Sequence, residues 1–397
     1  MALVPPRDRI LEIYALPVSG GGFPAQLQQI IYYTNEKQIA TGTTEENGNY
    51  LEYTPDICLA TSGGNVSAYI GLSGNWTEGG IKRVVKTMNA KMFSQTWWPG
   101  PMGFLPTWIL GIFEGAIFKP GYGPGKLLKA FSDDRSIQEV EIWSGTFNKT
   151  QKRSGFFCNK KITDSYISST TYSPFLFKTM PLVYTDGDID LISKVTVASA
   201  SVPILFKPVE IGGEEYIDGG VTFSSPLTVM QEEIYNIMKG ITTPPAYASI
   251  SSPFPLPDPS TNPDLGGRRN KDLLHIVYMS PYNMDNTTEK VSSSLGSDTF
   301  LSYMTDASFL KDRYTGVNLL ERLMTDSQEV DMVDSRYGAK LSDLLAVHRA
   351  THYFCEIYVR KNDWIDMTKF TSQDILNKMD EAIDEIEYLF FYVKDKI

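Results

Sequence analysis

One serine of the sequence stands on a turn that could make it a nucleophile. Ser62 lies in "ATSGGN", between the short apolar run "DICLAT" and the stretch "NVSAYIGLSG", which has helical spacing. A serine hydroxyl attacks an ester only when a base accepts its proton and the turn projects it away from the backbone. The small residues Ala60, Gly63 and Gly64 permit such a strand-to-helix turn. The alternative is an ordinary glycine loop that carries a serine.

A second glycine-rich turn precedes it. In "SGGGFPA", Gly20, Gly21 and Gly22 follow the apolar run "ILEIYALPV". Consecutive backbone N–H groups on such a turn suit an oxyanion or a phosphate. The stretch also fits the dinucleotide pattern G-x-G-x-x-A. Glu36 and Glu45 both lie off the position expected for the acidic partner, however, and no second feature supports a dinucleotide site.

An aspartate stands on a third turn, far along the chain. Asp218 follows "EEYI" and precedes two glycines, so its carboxylate belongs to a tight turn rather than to a solvated helix face. By itself, Asp-Gly-Gly is most often a hairpin turn. Its value as a candidate base depends on the other motifs.

In combination these motifs resemble the patatin-like phospholipase family. That family has a glycine-rich oxyanion loop, a G-x-S-x-G elbow, an A-S-x-x-x-P-x-x-F-x-P segment and an aspartate in D-G-G or D-G-A. The matching positions follow in the same order at 20–22, 60–64, 198–208 and 218–220. The resemblance covers residues 8–285.

The resemblance implies both a fold and a mechanism. It implies a three-layer α/β/α fold and hydrolysis of phospholipids or other lipid esters through a covalent acyl-enzyme. Asp218 would act as the general base for Ser62, so that no histidine, metal or cofactor is needed. The oxyanion donors would be the amides of Gly20, Gly21, Gly22 and Gly63. Members of the family usually contact a membrane surface only transiently.

Three positions depart from the family pattern. "FPA" follows Gly22 where arginine and glycine are common, Ala60 replaces the first glycine of the elbow, and Ser225 precedes Pro226 where an asparagine is frequent. None of these changes removes a reacting group. The first change does bear on the geometry of the oxyanion loop.

Composition excludes several other classes. The net charge of −11 argues against nucleic-acid binding, because no basic excess exists to displace phosphate counterions. Cys58, Cys158 and Cys355 form neither a metal-binding pattern nor a disulfide framework, which favours a reducing compartment. The start of the sequence lacks a signal-peptide pattern, and no window offers the roughly 20 apolar residues of a membrane span. We therefore expect a cytoplasmic protein, and this leaves room for peripheral association with membranes.

The patterns along the chain predict two regions. Residues 1–285 would form the catalytic domain, with an aromatic Gly/Pro-rich segment at 96–125 and a proline-rich insertion at 242–264. The aromatic segment suits either an interfacial lid or a buried part of the core. Residues 286–397 would form a mostly helical region packed on that domain, ending in an amphipathic helix over "SQDILNKMDEAIDEIEYLFFYV".

The histidines suggest two other kinds of site besides a Ser–Asp dyad: a catalytic triad and a metal site. The order Ser62, Asp218, His275 suits an α/β-hydrolase triad, although His275 falls in the apolar run "LLHIVYM", where a core role is more common. His348 and His352 have the i, i+4 spacing of a shared metal, but no third ligand accompanies them.

Two functions fit the sequence. One is a phospholipase A-type lipid acyl hydrolase, and the other is a catalytically inactive patatin-fold protein that serves binding or assembly. The presence of both reacting side chains on glycine turns favours the hydrolase. The sequence identifies no protein partner.

Overall fold

The computed structural model describes most of the predicted α/β region and much of the C-terminal region. The described residues are 9–43, 53–88, 94–95, 119–120, 140–158, 183–184, 189–203, 206–239, 271–281, 298–360 and 371–396. The predicted aromatic segment 96–125, apart from Lys119–Pro120, and the proline-rich insertion 242–264 lie outside these residues.

Strands account for the centre of the described structure. They are β1 (Ile10–Leu16), β2 (Ile57–Thr61), β3 (Ser94–Gln95), β4 (Lys119–Pro120), β5 (Glu141–Asn148), β6 (Arg153–Cys158), β7 (Val183–Tyr184), β8 (Val209–Ile211), β9 (Glu214–Asp218), β10 (Leu273–Ser280), β11 (Gln328–Asp334), β12 (Tyr353–Val359) and β13 (Ile386–Asp395). β3 and β4 pair with each other, and the other eleven form one sheet.

The sheet is mixed, with a parallel centre. Its order is β11-β13-β12-β10-β1-β2-β5-β6-β7, while β9 pairs with β5 and with β8. The neighbours from β12 through β10, β1 and β2 to β5 are parallel, and β13 is antiparallel to both β11 and β12. All residues of β1 and of β10 are buried, which explains why both strands read as nearly continuous apolar runs.

Helices cover both faces of this sheet. They are α1 (Phe23–Thr41), α2 (Gly63–Ser73), α3 (Glu78–Lys86), α4 (Ile189–Ser199), α5 (Leu227–Lys239), α6 (Asp298–Leu323), α7 (Leu341–His348) and α8 (Ser372–Ile383). Short 3₁₀ turns occur at Gly20–Gly22, Gly219–Val221 and Ser335–Tyr337.

Alternate residues of β1 divide the core between the two helical layers. Tyr14 and Leu16 pack in a cluster with α1, α2, α3, α7 and α8. Leu11, Ile13 and Ala15 point to the opposite face and pack with α5 and α6. This alternation follows from the two-residue period of a strand. The three-layer α/β/α fold predicted from the sequence is confirmed.

The sequence predicts a mostly helical C-terminal region; its described residues form three helices, but they also form three strands that complete the sheet. β12 lies between β10 and β13, and β11 forms the edge beyond β13. The predicted terminal helix ends at Ile383, and the residues after Glu385 form β13. The apolar spacing of "IEYLFFYV" fits a helix face, yet its aromatic and branched side chains favour a strand. Pairing with β12 and β11 decides the outcome.

The central position of β12 generates the first prediction. A chain that ends at residue 285 lacks β12 and α6, so it exposes the edge of β10 and the face of β10 on which α6 packs, and we expect it to be insoluble or to lack cooperative unfolding. Solubility, circular dichroism and urea denaturation of the truncated and full-length chains measure this. A truncated chain that stays monomeric and unfolds cooperatively would show that residues 1–285 fold independently.

Candidate active site

Ser62 occupies a strained position between β2 and α2. Its backbone has φ 59° and ψ −131°, a conformation that non-glycine residues rarely adopt. The Ser62 amide donates to Ser199 Oγ at 2.9 Å, and that hydroxyl donates to the carbonyl oxygen of Gly145 at 2.6 Å. Two successive hydrogen bonds therefore hold the strained turn in place. Ser62 as a whole is only 1% exposed.

The two glycines after Ser62 allow a close approach of two turns. A Cβ added at Gly63 would overlap Ser19 Oγ and lie 2.7 Å from the carbonyl oxygen of Gly20. A Cβ added at Gly64 would overlap the backbone at Leu16. The start of α2 thus packs directly against the chain that leads into the Gly20–Gly22 turn, which brings the first two glycine motifs together.

Asp218 ends β9 and contacts Ser62 directly. Ser62 Oγ donates to Asp218 Oδ2 at 2.6 Å, while the Gly220 amide donates to Oδ1 at 2.7 Å. Asp218 as a whole is 3% exposed. Burial raises its pKa from 3.8 to about 7, and the hydrogen bonds from Ser62 and Gly220 only partly offset this. The structure therefore pairs a serine hydroxyl with a buried carboxylate that titrates near neutrality.

Strand β5 aligns the two residues. Along one edge of β5, Thr61 of β2 pairs with Gly145, and Asp218 of β9 pairs with the next residue, Thr146. β2 runs parallel to β5 and β9 antiparallel, so the ends of the two strands meet. Gly145 has no side chain to prevent this: a Cβ there would lie 2.6 Å from Thr61 Oγ1.

The Gly20–Gly22 turn lies beside the elbow, but one of its amides is engaged. The Gly22 amide, a predicted oxyanion donor, donates to the carbonyl oxygen of Ser19 at 2.7 Å. Gly20 adopts φ 49°, in the left-handed region where glycine is favoured. Val18, just before the turn, donates its amide to the carbonyl oxygen of Ser224 at 2.8 Å. Gly20, Gly21 and Gly63 stay the candidate donors to an oxyanion.

His275 lies away from this pair. It pairs with Glu12 of β1, whereas Ala60 pairs with Leu16, four residues or about 13 Å further along β1. His275 Nε2 lies 3.1 Å from the carbonyl oxygen of Thr351. The triad that the sequence left open is therefore not assembled in the structure.

The other two histidines have separate surroundings. The ring of His348 packs on Tyr392 at 3.8 Å between centroids, while His352 Nδ1 accepts a hydrogen bond from the Leu274 amide. Burial lowers the pKa of His352 to about 4. Within the described ranges, no three His, Cys, Asp or Glu side chains are grouped to hold a metal ion.

Two positioning residues were not identified from the sequence. Ser199 belongs to the A-S-x-x-x-P segment, which gives its position but not its role, and its hydroxyl connects the elbow to β5. In the sequence, Gly145 is one residue inside a segment whose pattern predicts a strand. An isolated glycine inside a strand pattern does indicate a close backbone approach, and that signal could have identified it.

The described structure is an α/β protein in which a serine and an aspartate from distant segments form one buried hydrogen-bonded pair. A strained serine between a strand and a helix, hydrogen bonded to a buried carboxylate at the ends of neighbouring strands, has the parts that serine nucleophile chemistry requires.

Comparison with known proteins gives a family match. Residues 39–230 match the family model of the patatin-like phospholipases, which confirms the predicted resemblance. Proteins of this family generally hydrolyse lipid esters. No curated protein matches the sequence significantly. None of the helices in the described ranges is long and apolar enough to cross a membrane.

The buried Asp218 generates a prediction for stability. Its pKa is about 7 in the folded state, compared with an ordinary value of 3.8. Protonation of Asp218 therefore stabilises the folded state relative to the unfolded state. The contribution is fully present below pH 4 and is lost as the pH rises towards 7. Asp218→Asn removes this loss, and we expect the variant to be more stable than the wild type at pH 8 by ~1–4 kcal/mol.

Urea denaturation of both proteins at pH 5, 6, 7 and 8 measures the difference. Asp312, a second buried carboxylate with a raised pKa, is present in both, so its contribution cancels in the comparison. A stability difference that does not grow between pH 5 and pH 8 would contradict the raised pKa of Asp218.

Proposed function

We propose that the protein is a lipid acyl hydrolase of the phospholipase A type, with Ser62 as the nucleophile and Asp218 as its base. The observation that carries the proposal is the 2.6 Å hydrogen bond from Ser62 Oγ to Asp218 Oδ2, between side chains that are both buried. The family match supports a lipid ester as the substrate class.

The proposed reaction has two halves. In the first, Ser62 Oγ attacks the ester carbonyl carbon while its proton passes to Asp218, and amides of Gly20, Gly21 and Gly63 stabilise the oxyanion. The C–O bond to the alcohol then breaks, and the leaving oxygen takes the proton from Asp218. This leaves an acyl group on Ser62.

In the second half, water replaces the alcohol. Asp218 accepts a proton from water as the hydroxide attacks the acyl carbon, and it returns that proton to Ser62 Oγ when the fatty acid leaves. Atoms and charge balance without a metal or a redox cofactor. A base whose pKa is about 7 suits both steps, because it is ionised before each attack and can still release its proton.

The proposal extends to the substrate's surroundings and to the domain. Phospholipids or other acylglycerols reside in membranes or lipid particles, so transient contact with a lipid surface is part of the proposed function. The catalytic unit would include the C-terminal strands, because β12 pairs directly with β10 in the sheet that supports the site.

Hydrolysis by Ser62→Ala tests the nucleophile. We expect the purified wild type to hydrolyse a p-nitrophenyl ester and phosphatidylcholine vesicles, and Ser62→Ala to lose at least about 10³-fold in kcat on both. His275→Ala is the matched control, since it removes a histidine outside the dyad, and we expect it to keep the wild-type kcat. Loss in His275→Ala with activity retained in Ser62→Ala would contradict the dyad.

Activity measurements on the wild-type protein alone distinguish the hydrolase from the inactive binding or assembly protein. Turnover of the p-nitrophenyl ester without turnover of vesicles would support an esterase that does not act on phospholipid. Absence of turnover on both substrates would favour the binding or assembly protein.

The base generates a prediction for the pH dependence of catalysis. Because Asp218 must be ionised to accept the proton, kcat/KM for a neutral ester should fall about tenfold per pH unit below the pKa of about 7. The profile of His275→Ala should be the same. A wild-type profile that stays flat from pH 5 to pH 8 would exclude Asp218 as the base.

A further inference from the structure

A second buried carboxylate, far from the dyad in sequence, contacts the segment that follows Asp218. Asp312 belongs to α6 and is 1% exposed. Oδ2 accepts from the hydroxyls of Ser224 and of Ser225, the latter at 2.8 Å, and Oδ1 accepts from Thr228 Oγ1 at 2.8 Å. Tyr278 OH adds a longer contact of 3.3 Å to Oδ2. A buried charge is tolerated only with such compensation.

Three of these hydroxyls belong to the segment that follows the dyad aspartate. From Asp218 the chain makes the Gly219–Val221 turn and then reaches Ser224, Ser225 and the start of α5. The Thr222 and Phe223 amides donate to the carbonyl oxygen of Gly219 at 3.0 and 3.1 Å. Asp312 therefore anchors the far end of a short turn whose near end carries the proposed base.

The same segment supports the glycine turn beside Ser62. The carbonyl oxygen of Ser224 accepts the Val18 amide at 2.8 Å, and Val18 lies two residues before Gly20. Ser224 thus links the two segments: its hydroxyl donates to Asp312, and its carbonyl oxygen accepts from the Val18 amide. A Cβ added at Gly220 would lie 2.7 Å from a Val18 methyl group, so the two segments are also packed together.

Helix α6 gives Asp312 a fixed support. A Cβ added at Gly316, one turn after Asp312, would overlap the ring of Phe354 in β12, so the helix lies directly on the sheet. The adjacent Arg313 pairs with the buried Glu356 of β12, with 2.9 Å between Nη2 and Oε1. The carboxylate is thus held from the C-terminal region, outside the residues that match the family model.

From these contacts we propose that Asp312 is a positioning residue of the active site, which fixes the Ser224–Ser225 turn and through it the Gly20–Gly22 turn relative to Ser62. The proposal rests on the proposed function, because the turn that it positions is the candidate oxyanion loop. It also gives Ser225 a role: where the patatin pattern often has an asparagine, a hydroxyl donates to a carboxylate from the C-terminal region.

The variant Asp312→Asn tests this proposal, and a matched control changes a neighbouring buried carboxylate that contacts the same helix, α6. The control is Glu356→Gln, which weakens the neighbouring ion pair of α6 but leaves the Ser224–Ser225 turn intact. Hydrogen–deuterium exchange of peptides covering 16–24 and 218–228 reads the turns directly. We expect faster exchange of both peptides in Asp312→Asn and exchange at the wild-type rate in Glu356→Gln.

Kinetics provide the second readout. Misplaced oxyanion donors lower transition-state stabilisation more than substrate binding, so we expect kcat of Asp312→Asn to fall by about 10- to 100-fold while KM stays within about twofold. Glu356→Gln should keep kcat at temperatures where it is folded. If Asp312→Asn does not fold, Ser224→Ala, which removes one donor and keeps the carboxylate, is measured in the same way.

The outcomes separate this proposal from the proposed function. Unchanged exchange at 16–24 in Asp312→Asn, or equal acceleration in Glu356→Gln, would overturn the positioning role and reduce Asp312 to a general anchor of α6. An equal rise of KM and fall of kcat would do the same. A wild type without esterase activity would overturn the proposed function, while the exchange data would still decide whether Asp312 holds the two turns.

Discussion

The pairing of β5 with two strand ends is the constraint on which the rest of the site depends. Backbone hydrogen bonds place Thr61 opposite Gly145 and Asp218 opposite Thr146, so the elbow and the carboxylate become neighbours although Ser62 and Asp218 are 156 positions apart in the sequence. The strained backbone of Ser62 persists because Ser199 ties it to the carbonyl oxygen of Gly145. Glycine at 145 keeps the space that this arrangement needs. The sheet, rather than the loops alone, sets the geometry of the pair.

Burial of carboxylates is the second physical theme, and it serves two different purposes. Asp218 and Asp312 are both removed from water, which raises the pKa of each, to about 7 and about 6. Asp218 has one hydroxyl donor and one amide donor, and its raised pKa suits a base that must take up and release a proton. Asp312 has a fuller set of hydroxyl donors, from Ser224, Ser225, Thr228 and Tyr278. In our account one carboxylate reacts and the other holds the backbone that surrounds the reaction.

Local patterns predicted much of the fold, whereas contacts between distant segments were beyond them. The apolar runs of β1, β2 and β10 and the turn at Ser62 are encoded by neighbouring residues, so they could be read from the sequence. The pairing of Ser62 with Asp218 required the order of several motifs. The sequence predicts a helix where β13 forms, because its apolar residues fit both the helical and the strand period, and only pairing with β12 and β11 decides for the strand. The engagement of the Gly22 amide and the contact of Asp312 with Ser225 involve spatial neighbours that no local pattern reveals.

The central claim is that Ser62 is a nucleophile activated by Asp218, and covalent labelling tests it most directly. The wild type, Asp218→Asn and Ser62→Ala are incubated with a fluorophosphonate, and the adduct is located by intact-mass measurement and peptide mapping. Our account predicts one phosphonyl group per wild-type chain, attached to Ser62, with labelling at least about 10²-fold slower in Asp218→Asn and none in Ser62→Ala. An adduct on another residue, or equal labelling rates in the wild type and Asp218→Asn, would contradict it.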